Sequence, residues 1–547
     1  MNRALDIAEI RAAICGEVDS LLTLRMLSQV SRDWSDVSNI FLWRSLKSLV
    51  PMLQLMPAHA WRVVGSTPDK PAGVFRFRRP LKPLDWVPVL KRSVLVKIFK
   101  LDYHGVSSTV PRIDKRVIEA ISLCPPPSTL LPRLRCLHLY THVNFCQRDI
   151  FFDVPLVSSV TKLKVGVQSP SSICFARIAA ACPALEWLNF TSYEHSPMWA
   201  PELGDSLLEW RTLTCVILEF GEWTLAFVLS SLAQLPALSD LTIRCNSFDN
   251  SQDESILPPE SFLSLQHLTL GGFNLSIADT ILCSWSMRAI ATITINPDLD
   301  GSSADCRHTI LRIQEHCDPL ELSVLNVDYQ GWILEGWPLR LEHITPLSCF
   351  SRLVNVKICG PGESDIDDDA CAQLARWWPY VETLSIGTHS RQLDRRPCTL
   401  MALIPFAKNC LYLKELTLPI TAAIVPPIEP SIELFKLRHH SLTYLGVGDA
   451  PIEKPTAVAL FLSVVFPDLD AVVYEEYESD TDDDNTFVDD RERDSEERGR
   501  RWDIVSQSLP MMREKEMQTW NMGLAYYSSV LPGFGYDFSN LIGQLIV

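Results

Sequence analysis

The tightest constraint in this chain is a spacing. Leu134, Leu137 and Leu139 form an L-x-x-L-x-L pattern, and the same spacing of apolar residues returns about every 25–32 residues. It comes back as Val160/Leu163/Val165, Leu185/Leu188/Phe190, Leu213/Val216/Leu218, Leu238/Leu241/Ile243, Leu265/Leu268/Leu270, Ile290/Ile293/Ile295 and Leu322/Leu325/Val327. Further along stand Leu353/Val356/Ile358, Val381/Leu384/Ile386, Leu413/Leu416/Leu418, Leu442/Leu445/Val447 and, fading, Leu469/Val472/Tyr474. The alternating L-x-L makes a short strand with one apolar face. Each such segment is too short to cover that face alone, so the core becomes continuous only when like units stack. Most of the chain therefore has to fold as a stack.

Several units carry a helical stretch ahead of the strand: Phe175 to Ala181 before Cys182-Pro183, Leu225 to Leu235 before Pro236, and Ala370 to Trp378 before Pro379. Proline just past a helix stops it, so each unit reads helix, turn, strand. These are leucine-rich-repeat spacings, and they predict an α/β solenoid of the horseshoe kind over residues 94–474, with parallel strands inside and helices outside. Three residues after the last strand position such repeats usually place Asn or Cys. Asn246 fits, but His142, Tyr193 and Phe273 stand there in other units, which predicts irregular curvature.

Period-two alternation assigns the outward side chains of the concave strand face. They are His138, Tyr140, Lys162, Lys164, Trp187, Glu219, Arg244, Asp328, Lys357, Glu415 and Tyr444, with Asn189, Asp240, His267 and Asn326 between them. Both charges mix with aromatic and amide groups and no single-sign track is visible, a composition suited to recognising a protein substrate.

Composition and missing motifs narrow the function. A formal net charge of −17 argues against nucleic acid as a partner. The 16 cysteines are scattered without metal or redox spacing, which fits reduced thiols in a cytoplasmic or nuclear protein. The longest apolar run, Ala457 to Phe466, is about half the ~20 residues a membrane span needs, so no membrane anchor is expected. No G-x-S-x-G elbow, P-loop or H-E-x-x-H is present, so neither an enzyme nor a cofactor is predicted. His138 and His142 lie four apart, a spacing for a helix rather than a strand, and no metal site is expected there. Gly446 and Gly448 read as a tight turn. The acidic stretch over 475–500 fails as an EF-hand loop begun at Asp480, because Asn485 and Arg491 replace the required Gly and Glu. Its dense charge predicts a disordered insertion. Residues 501–547 are read as a helical cap and tail.

Over residues 1–50 the period becomes helical, with three short amphipathic stretches too small to cover themselves. Ile7, Glu9 and Ile10 open the segment, Leu24 and Leu27 follow, then Val30-Ser31-Arg32-Asp33-Trp34, then Leu42-Trp43. This order resembles the F-box, whose V-[CS]-[KR]-x-W and L-W signatures it matches, although Ala8 stands where the family usually has Pro. Residues 51–93 form a Pro-rich junction, expected to be poor in regular elements, with Arg79-Pro80-Leu81 leading to Asp85-Trp86. Head, junction and repeats together resemble fungal F-box proteins with leucine-rich repeats. The resemblance implies a substrate receptor of an SCF-type, cullin-based ubiquitin ligase. In it Ile7, Glu9, Ile10, Ile14, Leu24, Leu27, Val30, Trp34, Leu42 and Trp43 would meet a Skp-type adaptor. The alternative is a ligase-independent interaction scaffold whose head has lost its adaptor.

Overall fold

The structure, a computed structural model, describes residues 7–65, 73–101, 111–141, 157–167, 174–192, 199–220, 225–245, 257–297, 301–329, 336–362, 364–387, 398–426, 439–474 and 494–513. The chain divides into two compact bodies, Met1–Phe273 and Asn274–Val547.

In the N-terminal body the strands run in the order Ser45–Leu46, Ile98–Leu101, Cys136–Thr141, Lys162–Val167, Trp187–Ser192, Cys215–Phe220, Asp240–Cys245 and His267–Phe273. Every neighbouring pair is parallel. The C-terminal body repeats the arrangement with Thr292–Pro297, Val324–Asp328, Asn355–Cys359, Thr383–Ile386, Glu415–Thr417, Tyr444–Gly448 and Ala471–Tyr474. Helices such as Phe175–Ala181, Ala200–Glu209 and Asp368–Trp377 fall between the strands. Each body is thus an α/β stack around a parallel sheet, as the spacing predicts. The ladder begins earlier than residue 94, because Ser45–Leu46 lies inside the segment read as the head.

The leucine pattern makes the core. Leu137, Leu163, Leu188, Val216, Leu241 and Leu268 stand opposite one another in register and are all buried, as are Leu139, Val165, Phe190, Leu218, Ile243 and Leu270 two residues on. This is the face that meets the helices: Phe190 contacts Phe175 edge to face, with ring centroids 5.3 Å apart. Burying each such side chain stabilises the stack by about 1.5–3 kcal/mol before entropy is counted.

Hydrogen bonds lock one repeat to the next at the start of each strand. The carbonyl of Arg135 accepts from both Thr161 and Lys162, that of Glu186 from Thr214 and Cys215, and that of Ser323 from Val354 and Asn355. Indoles add bonds across repeats, from Trp210 Nε1 to the Cys182 carbonyl (3.1 Å) and from Trp378 Nε1 to the Leu347 carbonyl (3.3 Å). His142, Tyr193 and Asn246 lie outside the described residues, whereas Phe273 is buried.

The Pro-rich junction is more ordered than its composition suggests. Trp61–Val64 pairs antiparallel with Val74–Phe77, which Arg112–Ile113 joins in parallel. Pro83 and Pro88 sit in the first turns of a 3₁₀ helix, Pro83–Trp86, and of the helix Val87–Ser93, where a missing N–H costs nothing. Arg79 grips buried Asp85 with two bonds of 2.7 Å, and the Lys82 backbone N–H donates to the same carboxylate at 2.8 Å. That clamp holds the Asp85 carboxyl below the usual carboxylate range, chiefly through the Arg79 hydrogen bonds. Trp86, which ends the R-P-L-x-P-x-D-W stretch, is buried and donates its Nε1–H to the Cys124 carbonyl at 3.1 Å.

The expected disordered insertion ends before residue 500. Residues 475–493 lie outside the described residues, but 494–513 form a helix that buries Trp502, Val505 and Leu509 against the last repeat. Charge density alone misses this because the apolar residues that dock the helix come after the acidic run. Intrahelical Arg500–Glu496 and Arg501–Glu497 pairs then support its first turns. Among the described residues no helix is long and apolar enough to cross a membrane.

Candidate functional site

Two surfaces follow from the sequence reading, the helical head and the strand face turned away from the helices. In the head, α1 (Ala8–Gly16) and α2 (Leu21–Leu27) each pack on α3 (Arg32–Leu42). Ser20 and Ser31 are N-caps, with Ser31 Oγ accepting from the Trp34 N–H at 3.3 Å, so the serine of the Val30–Trp34 stretch starts α3. Arg11 reaches from α1 to Asp33 of α3 at 3.4 Å. Ala8 stands at the first helical position, where a Pro would also fit because its missing N–H has no intrahelical partner there.

The residues read as adaptor contacts separate by burial. Ile7, Glu9, Ile14 and Val30 are exposed, while Ile10, Leu27, Trp34, Leu42 and Trp43 are half-buried. Leu24, read with them, is buried at 4% exposure and contributes to the head's own core. The strongest outward apolar residues were not among those singled out from the sequence. They are Leu21, Leu22, Met26 and Ile40, and with Val30 they leave a large part of the head apolar and uncovered. Leu21, Leu22 and Met26 adjoin Leu24 and Leu27 in one apolar helix, so only packing could tell outward from inward.

On the open strand face of the N-terminal body, register builds rows. One row runs Ile98, Cys136, Lys162, Trp187, Cys215, Asp240, His267, and the next Lys100, His138, Lys164, Asn189, Ile217, Thr242, Thr269. Adjacent strands stand about 4.8 Å apart, so Lys100, His138 and Lys164 are immediate neighbours although the chain separates them by whole repeats. His138 Nε2 lies 3.3 Å from Cys136 Sγ. Burial, then the Lys100 and Lys164 ammonium groups, hold the His138 imidazole below its ordinary value. Burial pushes the Cys136 thiol up, with Lys100 and Lys162 pulling the other way. Farther along, the face turns to internal pairing: Glu219 accepts from Thr191 at 3.2 Å and meets Arg244 at 3.3 Å. Tyr140 occupies the position opposite Gly166, and its side chain lies outside what the structure describes.

The C-terminal body brings Lys357 and Asp328 together at 2.8 Å. Glu415 stands in register with Thr383 on one side and Tyr444 on the other. Buried amide oxygens of Asn296 and Asn326 have no hydrogen-bond partner there. Lys100 and Cys136 are among the residues of this face that the sequence reading passed over. Lys100 sits between Phe99 and Leu101 as His138 sits between Leu137 and Leu139. Among the described residues no group of three His, Cys, Asp or Glu is placed to hold a metal ion.

No family model matches the chain, and no curated protein matches it. Among solved structures it is similar to a chain in the crystal structure of the Rad7 and Elc1 complex in yeast, at 15% identity and a TM-score of 0.35, over 65% of this chain and 81% of that one. A likeness of that degree carries nothing about activity or partners.

Proposed function

We propose that this protein is the substrate-recognition subunit of an SCF-type ubiquitin ligase. Its head docks a Skp-type adaptor, its strand faces hold a protein substrate, and the catalytic parts belong to other chains of the cullin assembly. The observation that carries the reading is the uncovered apolar surface of the head: Leu22 is 65% and Val30 63% exposed on a module whose residue order matches the F-box. Such a surface on a small helical unit marks a protein contact. The repeats supply what a receptor needs besides an adaptor site, strand faces of mixed charge and aromatic groups. The test is co-purification of a Skp-type adaptor with the full chain and with a Leu22→Glu, Val30→Glu variant, whose exposed positions leave the fold intact by circular dichroism. Capture by the intact chain and loss in the variant is the expected result. Absence of capture at adaptor concentrations well above micromolar would leave a ligase-independent scaffold in its place.

A further inference from the structure

We propose that the outer edge of the strand Trp61–Val64 takes up an extended, carboxylate-bearing segment of a partner protein as an added strand, with Arg62 and Arg78 holding its acidic side chains. The inference goes beyond the ligase reading and needs no adaptor at the head. Trp61–Val64 pairs with Val74–Phe77 on one side. It is an end strand of the three-stranded sheet in the junction, so among the described residues no strand pairs with its other side. The backbone N–H and C=O groups along that side are a template that an incoming strand can complete.

Packing holds the edge ready. Trp61 stacks on Phe75 with ring centroids 5.7 Å apart, and Phe75 meets Phe77 edge to face at 5.5 Å. Phe75 is fully buried, and Trp61 Nε1 donates to the Met56 carbonyl at 3.2 Å. These aromatic side chains anchor one face of the strand pair, and alternation turns Arg62 and Arg76 to the other. Arg78 extends the pairing by one residue, its N–H donating to the Ala60 carbonyl at 2.8 Å.

Charge names the occupant. Arg62 stands directly across from Arg76, an arrangement that is repulsive by itself. Asp114 engages Arg76 and Asp85 engages Arg79, whereas Arg62 and Arg78 are exposed and have no carboxylate partner among the described residues. A lone charge on an edge strand wards off chance pairing, but a guard of that kind gains nothing from a second arginine opposite. An added strand lies about 4.8 Å from its neighbour, close enough for its Glu or Asp side chains to reach Arg62. A helix has no free backbone groups to offer the edge. Four residues of strand span only about 13 Å, short of the run of phosphates along which a nucleic acid gathers its affinity.

The experiment is fluorescence anisotropy on the full chain with a labelled peptide of about six residues, enough to cover the edge at ~3.3 Å per residue, alternating Glu with Val or Thr. Two further versions carry N-methyl groups on one or the other alternate set of backbone nitrogens, because an added strand turns alternate N–H groups toward its neighbour and the rest away. A Gln version and a labelled single-stranded RNA complete the probes. Binding of the acidic peptide, weakening with added salt, is expected to fall at least about tenfold in Arg62→Glu and in Arg78→Glu, the loss for a removed charge-assisted contact. Arg211→Glu, elsewhere on the same body, leaves it unchanged. One N-methylated peptide should bind as the parent does and the other at least about tenfold more weakly. No binding of the parent peptide, equal binding by either Arg variant folded by circular dichroism, equal binding of the Gln peptide, equal behaviour of the two N-methylated peptides, or tighter binding of RNA overturns the proposal. Adaptor capture without peptide binding defeats this inference alone, and peptide binding without adaptor capture defeats the ligase reading alone.

Discussion

Replacing Trp502 by Ala tests whether the helix over 494–513 is part of the repeat stack or merely rests on it. Trp502 is 1% exposed, and its Nε1 donates to the Ala450 carbonyl at 2.9 Å. A buried tryptophan covers about 150–250 Å², and truncating one to Ala costs about 3–5 kcal/mol. The orphaned Ala450 carbonyl adds about 1 kcal/mol. Arg498 on Asp449 at 3.0 Å and Arg501 on the Ile452 carbonyl at 2.9 Å remain, so the helix loosens without departing. In a stack, stability passes between nearest neighbours. A loss of about 4–6 kcal/mol, or some three to four decades in a local opening constant, should therefore be felt first in the strands Tyr444–Gly448 and Ala471–Tyr474. Amide hydrogen exchange is the assay: protection of those strands should drop by up to that factor while Cys215–Phe220 in the other body keeps its own. Trp502→Phe, which keeps most of the volume and loses the N–H bond, should lower protection by about tenfold or less. Unchanged protection in the last two strands with Trp502→Ala would refute the reasoning. So would an equal loss throughout the chain.

Burial holds His138, His343 and His439 below the ordinary histidine value. His343 also uses Nδ1 to accept the Arg340 N–H at 3.1 Å. As pH falls through about 6.5 the unfolded chain takes up these protons first, so stability present above that value is lost below it; thermal midpoints at about pH 7.5 and 5.5 should differ, and His343→Gln, His439→Gln should narrow the difference. A flat wild-type profile between those values contradicts this. Two glycines with positive φ should respond differently to Ala: at Gly65 (φ +77°) a Cβ meets open space, while at Gly272 (φ +70°) it would lie 2.1 Å from the Cys245 carbonyl oxygen. Gly65→Ala should cost about 1–2 kcal/mol, the left-handed penalty alone, and Gly272→Ala clearly more; equal shifts in urea midpoint would show that the clash is relieved at no cost.

How much of this was written in the residues depends on distance along the chain. Period-two alternation and its return every few dozen residues were enough to place the strands and to name Leu137, Leu163, Leu188 and their counterparts as core, because each strand is a local pattern that only stacking can bury. The three head helices were equally legible from helical spacing. Local pattern could not say whether Leu24 or Leu22 faces inward, since both lie in one short apolar helix and the decision belongs to its packing on α3. Nor could it pair Arg79 with Asp85, or dock Trp502 on the repeat that ends in Tyr474.

The candidate partner surface shows the same division most plainly. Alternation determined that Lys162, Lys164 and His138 point to the open face. Which of those side chains become neighbours was decided by the register between strands from different repeats, and that is a tertiary fact. It set Lys100, His138 and Lys164 side by side, and it paired Lys357 with Asp328 and Arg244 with Glu219. Side-chain direction is fixed by the backbone two residues at a time, whereas electrostatic neighbours are fixed by hydrogen bonds to strands whole repeats away.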